Sequence, residues 1–191
     1  MSKSIIMRLS CIALVCLFLG SLSSAEAATK EEKRQDVRNM ASTALNRLYD
    51  SRPSSREAVE NAAGYAVFQN TGIKILVLGS SHGKGIAVNN QNGAETFMKM
   101  AEGQVGLGIG VTKYNVIFVF DTQDALNRFV NKGWDFGGQA TAAATDSVSG
   151  GSFEGAASVS EGIWMYQITD SGLALEIALK GTRYYKDGDL N

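Results

Sequence analysis

The chain has two cysteines, one histidine and one proline among 191 residues. Cys11 and Cys16 both fall near the N-terminus. Everything after them therefore lacks a disulfide, a thiol nucleophile and a thiolate metal ligand. With His82 as the sole histidine, a transition-metal site would have to rest on carboxylates. Neither sign of charge dominates: 18 Lys plus Arg against 19 Asp plus Glu leave a net of −1, which is no electrostatic footprint for nucleic acid. The long apolar run, Leu9 to Leu22, falls short of the ~20 residues that span a bilayer as a helix.

That short run reads as an export signal. Lys3 and Arg8 make a basic n-region, Leu9 to Leu22 an apolar h-region, and Ala25-Glu26-Ala27 an A-x-A cleavage site. Cleavage after Ala27 is expected, with an uncleaved N-terminal anchor as the alternative. Neither cysteine suits lipid attachment: Cys16 follows Ala13-Leu14-Val15, and Cys11 lies close to Arg8. Residues 28–191 are enough for one folding unit with a proper core. Within it, 28–61 is a helical segment and 62–191 the main domain.

Glycine is abundant, 21 of 191 residues against the usual ~7%, and it lies inside strand-like text. Thr29 to Ser51 reads as an amphipathic helix, with Val37, Met40, Ala41, Ala44, Leu45 and Leu48 at three- and four-residue spacing. Pro53 ends it. A short helix follows, with Ser54 and Glu57 spaced as a capping box and Gly64 as its stop. Six short strands are expected at 65–68, 73–78, 85–89, 96–101, 105–111 and 115–120. Asn92-Gly93 and Lys113-Tyr114 are read as hairpin turns. One helix interrupts, capped by Asp121 or Thr122, striped by Leu126, Phe129 and Val130, and stopped by Gly133. Strands resume at 136–144, 153–158, 163–169, 173–179 and 182–185, with Asp170-Ser171-Gly172 as a turn and Ala140 to Ala144 also readable as helix. The fold class is α+β: a strongly curved, mainly antiparallel sheet, barrel- or sandwich-like, with N-terminal helices and one inserted helix packed on it.

Five blocks stand in order: Gly64-Tyr65-Ala66-Val67-Phe68, Gly83-Lys84-Gly85-Ile86-Ala87-Val88, Gly106-Leu107-Gly108-Ile109-Gly110, Val116-Ile117-Phe118-Val119-Phe120 and Phe136-Gly137-Gly138-Gln139-Ala140. This ordered set resembles the SYLF domain family over roughly Ala62 to Tyr185. The stretch 71–80, glycine-rich in relatives, here reads Ile73-Lys74-Ile75-Leu76-Val77-Leu78. The resemblance implies a non-enzymatic lipid-binding module, so an anionic phospholipid or membrane surface is the expected partner. A structural module that binds an envelope protein is the alternative. The actin role described for eukaryotic members is not expected of an exported bacterial chain.

On that resemblance, the candidate lipid contacts are cations. Lys84 sits between glycines and would meet a phosphate as a point charge. Lys180, Arg183 and Lys186 form a C-terminal basic group, and Lys33, Arg34 and Arg38 lie on the first helix. That helix also carries Glu31, Glu32 and Asp36, so its ordinary reading is a helix packed on the sheet. Gly106, Gly108 and Gly110 alternate with branched residues and put a bare face on one side of a strand. That face is read as tight packing against an aromatic such as Trp134 or Trp164, with an acyl-chain groove as the alternative.

Several motifs fail on context. Gly79-Ser80-Ser81-His82-Gly83 satisfies G-x-S-x-G, but strand text follows it where a nucleophile elbow needs a helix. A hairpin turn is the better reading, with a serine hydrolase as the third functional option. Gly79 to Gly83-Lys84 has one residue too few for a P-loop, and Gly85 stands where a hydroxyl would hold Mg²⁺. Asp187-Gly188-Asp189 lacks the remaining ligands of a calcium loop and reads as a solvated acidic tail. No catalytic, metal or cofactor site is expected.

Overall fold

A computed structural model describes residues 29–136, 153–169, 172–174 and 181–191. Helix α1 covers 29–51. Val37, Ala41, Ala44 and Leu48 are buried along it, a single stripe at three- and four-residue spacing. Met40 and Leu45 flank that stripe and pack on the same cluster. The helix stops ahead of Pro53, as expected of a ring that blocks the α-region for the residue before it.

Helix α2 (Ser54–Asn61) begins without its expected capping box. Pro53 itself sits in the helical region, at φ −56° and ψ −33°. Ser54 is therefore already inside the helix and has no extended cap geometry to offer. Ser55 Oγ instead donates to the Arg52 carbonyl at 2.6 Å. Gly64 does not stop α2; it opens the first strand.

The six expected short strands are two long ones, β1 (Gly64–Asn89) and β2 (Glu95–Phe120), of 26 residues each. Their antiparallel ladder runs from Gly64 opposite Phe120 to Val88 opposite Glu95. The chain reverses between them at Asn92-Gly93, where Gly93 takes φ 69° and Asn92 Oδ1 accepts the Ala94 N–H at 2.9 Å. Neither of the other expected turns reverses the chain. Lys113 pairs with Thr71 in mid-strand, and Gly79 to Gly83 pairs with residues 100–104. At Gly79 and Gly83 glycine interrupts the apolar alternation without breaking the ladder.

A straight strand of that length would run on the order of 85 Å, so the ribbon has to bend to enclose a core. It doubles back on itself, and glycines mark where its halves meet. A Cβ on Gly85 would fall 2.5 Å from the Val67 carbonyl oxygen and closer still to the Phe68 ring, and one on Gly64 would strike the Val88 carbonyl. Gly83 lies likewise against Gln69 and Asn70, and Gly72 against Ser81. The register shift between Leu76 and Leu78, opposite Gly108 and Val105, falls at the bend, where a bulge adds local twist. At Gly110 the expected close packing is absent, because a Cβ there would meet nothing within 4 Å. The side of the strand at Gly106 and Gly108 lies outside the described residues. Trp134 packs edge-on against Phe118, and Trp164 stacks on Phe153.

The remaining strands build on β2. Its second half pairs with β5 (Ile163–Thr169) and its first half with β7 (Thr182–Lys186). β3 (Trp134–Phe136) lies on β7, while β4 (Ala157–Ser160) and β6 (Gly172–Ala174) lie on β5. The result is a strongly curved antiparallel sheet. Helix α3 (Gln123–Lys132) is inserted after β2; Thr122 Oγ1 accepts the Ala125 N–H at 3.2 Å, and Gly133 at φ 72° closes it. The expected strands at 136–144 and 173–179 run into residues outside the described ones, as does the turn at Asp170-Ser171.

Alternation along β1 and β2 feeds two cores. Ala66, Phe68, Phe118 and Phe120 enter an aromatic cluster with Phe129, Tyr184, Met98 and Met100. Phe118 meets Tyr184 at 5.0 Å and Phe129 at 5.3 Å between ring centroids. Val67, Ile117 and Val119 face the other way, against Val37, Ala41 and Leu48 of α1. The unbroken apolar run Val116 to Phe120 follows from this burial of both strand faces.

Candidate functional site

The first turns of α1, the β1/β2 ribbon and the C-terminal turn enclose a pocket of about 530 Å³. Lys84 and Lys99 are direct cross-strand partners in the ladder, so both ammonium groups stand on one face. Lys30 and Lys33 reach the same pocket from α1, and Asp36, Asp187 and Asp189 complete its charged lining. Four lysines against three carboxylates make the pocket weakly positive.

Lys99 organises the C-terminal turn. Its Nζ lies 2.9 Å from Asp187 Oδ1 and 2.9 Å from Asp189 Oδ2. These hydrogen bonds, Asp187's first, hold Lys99 protonated well above the ordinary lysine range. Reciprocally, the bond from Lys99 draws Asp189 below the usual carboxylate value, with help from the charges of Lys30 and Lys33. Asp187 is buried; its backbone N–H donates to the Phe97 carbonyl at 3.0 Å, and Asn191 Nδ2 donates to the same carbonyl at 2.7 Å. The acidic residues expected as a solvated tail therefore form part of a folded clamp. Their two carboxylates meet a lysine some ninety positions earlier, a pairing no local pattern reveals.

The candidate cations divide into two groups. Lys33 and Lys84 share the pocket, joined by Lys30 and Lys99, which sequence reasoning left out of the site. Lys99 was detectable only through the strand register that sets it opposite Lys84. Arg34 and Arg38 do structural work: Arg34 Nε donates to the Leu190 carbonyl at 2.7 Å, and Arg38 bonds Glu95 at 2.9 Å and Glu31 at 2.7 Å. Both guanidinium groups also lie over the Phe97 ring. Arg183 faces Asp135 at 3.4 Å, and Lys186 Nζ donates to Asn131 Oδ1 at 2.9 Å, so neither reaches the pocket. Lys180 lies outside the described residues.

A second polar group is sealed inside the doubled ribbon. Glu102 accepts from Tyr114 OH and Thr182 Oγ1, both at 3.0 Å, and from Ser81 Oγ at 3.4 Å. Burial, then the Glu102 charge, pushes the Tyr114 phenol far above its ordinary range. Ser81 is fully buried while its neighbour His82 is exposed on the opposite strand face. The G-x-S-x-G residues thus lie along a strand with serine and histidine turned apart. Among the described residues, no group of three or more His, Cys, Asp or Glu is placed to hold a metal ion. No described helix is long and apolar enough to cross a membrane.

The chain is 35% identical over 162 residues, 85% of its length, to beta cell expansion factor A of Aeromonas veronii, and it spans 60% of that relative. Residues 101–191, from the first half of β2 through the C-terminal clamp, match the Ysc84 family, described as Las17-binding protein actin regulator. The match over residues 101–191 and the 35% identity to this relative bear out the resemblance to the Ysc84 (SYLF) family that the glycine blocks carry.

Proposed function

We propose that this chain is a non-catalytic, exported protein of the bacterial cell envelope that holds anionic phospholipid by its headgroup. The observation that carries the reading is the convergence of Lys30, Lys33, Lys84 and Lys99 from separate segments onto one pocket. A volume of about 530 Å³ lies within the ~300–1,000 Å³ range of small-ligand sites. Lysines meet phosphate as point charges, each contributing roughly 1 kcal/mol near an anionic surface. Lys99 is already bound to two carboxylates, so Lys30, Lys33 and Lys84 supply most of the attraction. Such binding is screened as ionic strength rises.

Flotation of the chain with phosphatidylglycerol or phosphatidylcholine vesicles across a salt series tests this. Binding is expected with the anionic lipid alone, fading with salt. The pair Lys33→Glu and Lys84→Glu should weaken it by about tenfold or more. Equal binding to both lipids, no binding, or an unaffected double variant would overturn the reading. Stoichiometric retention of one envelope protein in place of lipid would point to a partner-binding module.

A further inference from the structure

We infer that the bent end of the β1/β2 ribbon is an apolar arm that enters an anionic membrane. The inference rests on the lipid-binding reading above and adds the part of the molecule that makes contact with the bilayer interior.

The arm is where the described surface turns apolar. Ile73, Leu78, Ile109 and Val111 are 55%, 66%, 81% and 66% exposed, and Ile73 and Val111 are direct cross-strand partners. Residues 109–113 are exposed in succession, so both strand faces there meet solvent. Nothing lies within 4 Å of a Cβ placed on Gly103 or Gly110. In sequence, positions 73–78 are apolar apart from Lys74, and 105–111 alternate glycine with Val, Leu and Ile. A soluble surface gains nothing from this clustering; contiguous exposed apolar patches mark interaction sites.

Charge selects the occupant. Between Gln69 and Lys84 there is no carboxylate, and between Lys99 and Asn115 the only one is Glu102, which is buried. Lys113 pairs with Thr71, two positions from the Ile73–Val111 pair, or about 7 Å along the strand. A headgroup layer is on the order of 5–8 Å deep. Lys113 therefore reaches phosphate level when Ile73 and Val111 sit at the hydrocarbon boundary. Along β1, Leu78, Ser80, His82 and Lys84 are all exposed at alternate positions, a single face leading from the arm to the pocket. A second copy of the chain would bring like charges together at the arm, whereas an anionic bilayer complements both features.

The test uses residues 28–191, the exported form proposed above, with one cysteine introduced at Ile109 or Leu78 and labelled with an environment-sensitive fluorophore. Asn92→Cys, at the opposite end of the ribbon, is the control. With phosphatidylglycerol vesicles the arm labels should shift to the blue and be quenched by lipids brominated on their acyl chains, while the control does neither. Ile109→Asp with Val111→Asp should lower vesicle partitioning by about tenfold or more, with an unchanged melting curve. Flotation without any shift at the arm would overturn this inference and leave the headgroup reading standing. A shift without vesicles, accompanied by a doubled mass in sedimentation, would overturn it in favour of self-association. Loss of flotation in the unmodified chain would overturn both readings.

Discussion

Lys84 and Arg38 are both cations that the sequence marks as candidates, and their neighbours give them opposite duties. Arg38 is partly exposed beside the buried stripe of α1, bonds Glu31 and Glu95, and covers the Phe97 ring. Its hydrogen bonds, Glu31's first, raise its pKa, so its charge belongs to the fold. Arg38→Ala is expected to lower the Tm modestly, on the order of a few degrees, and to leave vesicle flotation unchanged. Loss of flotation without loss of stability would instead place Arg38 among the lipid contacts. A lysine between glycines was legible as an accessible charge. Which arginine carboxylates would claim was not, because Arg38 and Glu95 lie 57 positions apart.

At the scale of elements, α1, α3 and β5 were legible because each holds its own periodicity and its own stop. Thr122 and Gly133 close α3 by purely local chemistry. The ribbon was not legible, since glycine reads locally as punctuation and here serves close approach between distant segments. Gly85→Ala should therefore cost about 2–3 kcal/mol by forcing Phe68 and the Val67 carbonyl apart. Gly103→Ala should be near neutral, since it meets nothing within 4 Å. Chemical denaturation of the two variants checks this contrast. Equal stability would mean that the halves of the ribbon do not pack as closely as described.

The whole molecule carries an alkaline limit. Tyr49, Tyr65, Tyr114, Tyr166 and Tyr184 all have raised pKa values, with burial the first cause in each. Tyr166 is pushed up to about 12. A phenol whose folded pKa exceeds its unfolded value of ~10 stabilises the fold fully below that value and loses its contribution as pH rises through the folded one. Stability should hold up to about pH 10 and then fall, with delayed tyrosine ionisation appearing together with unfolding. Ultraviolet titration alongside circular dichroism reads both; free ionisation of these phenols near pH 10 in the folded chain would contradict the described burial. By itself the sequence determined the helices, the curved antiparallel class and the family resemblance, because composition and short-range periodicity encode these. Only the tertiary structure decided that six strands are two, that Lys84 faces Lys99, that the C-terminal aspartates clamp a lysine and that the apolar arm stands clear of the core. Those outcomes depend on register and on contacts between distant residues, as with Arg34 and Leu190, 156 positions apart, which no local pattern encodes.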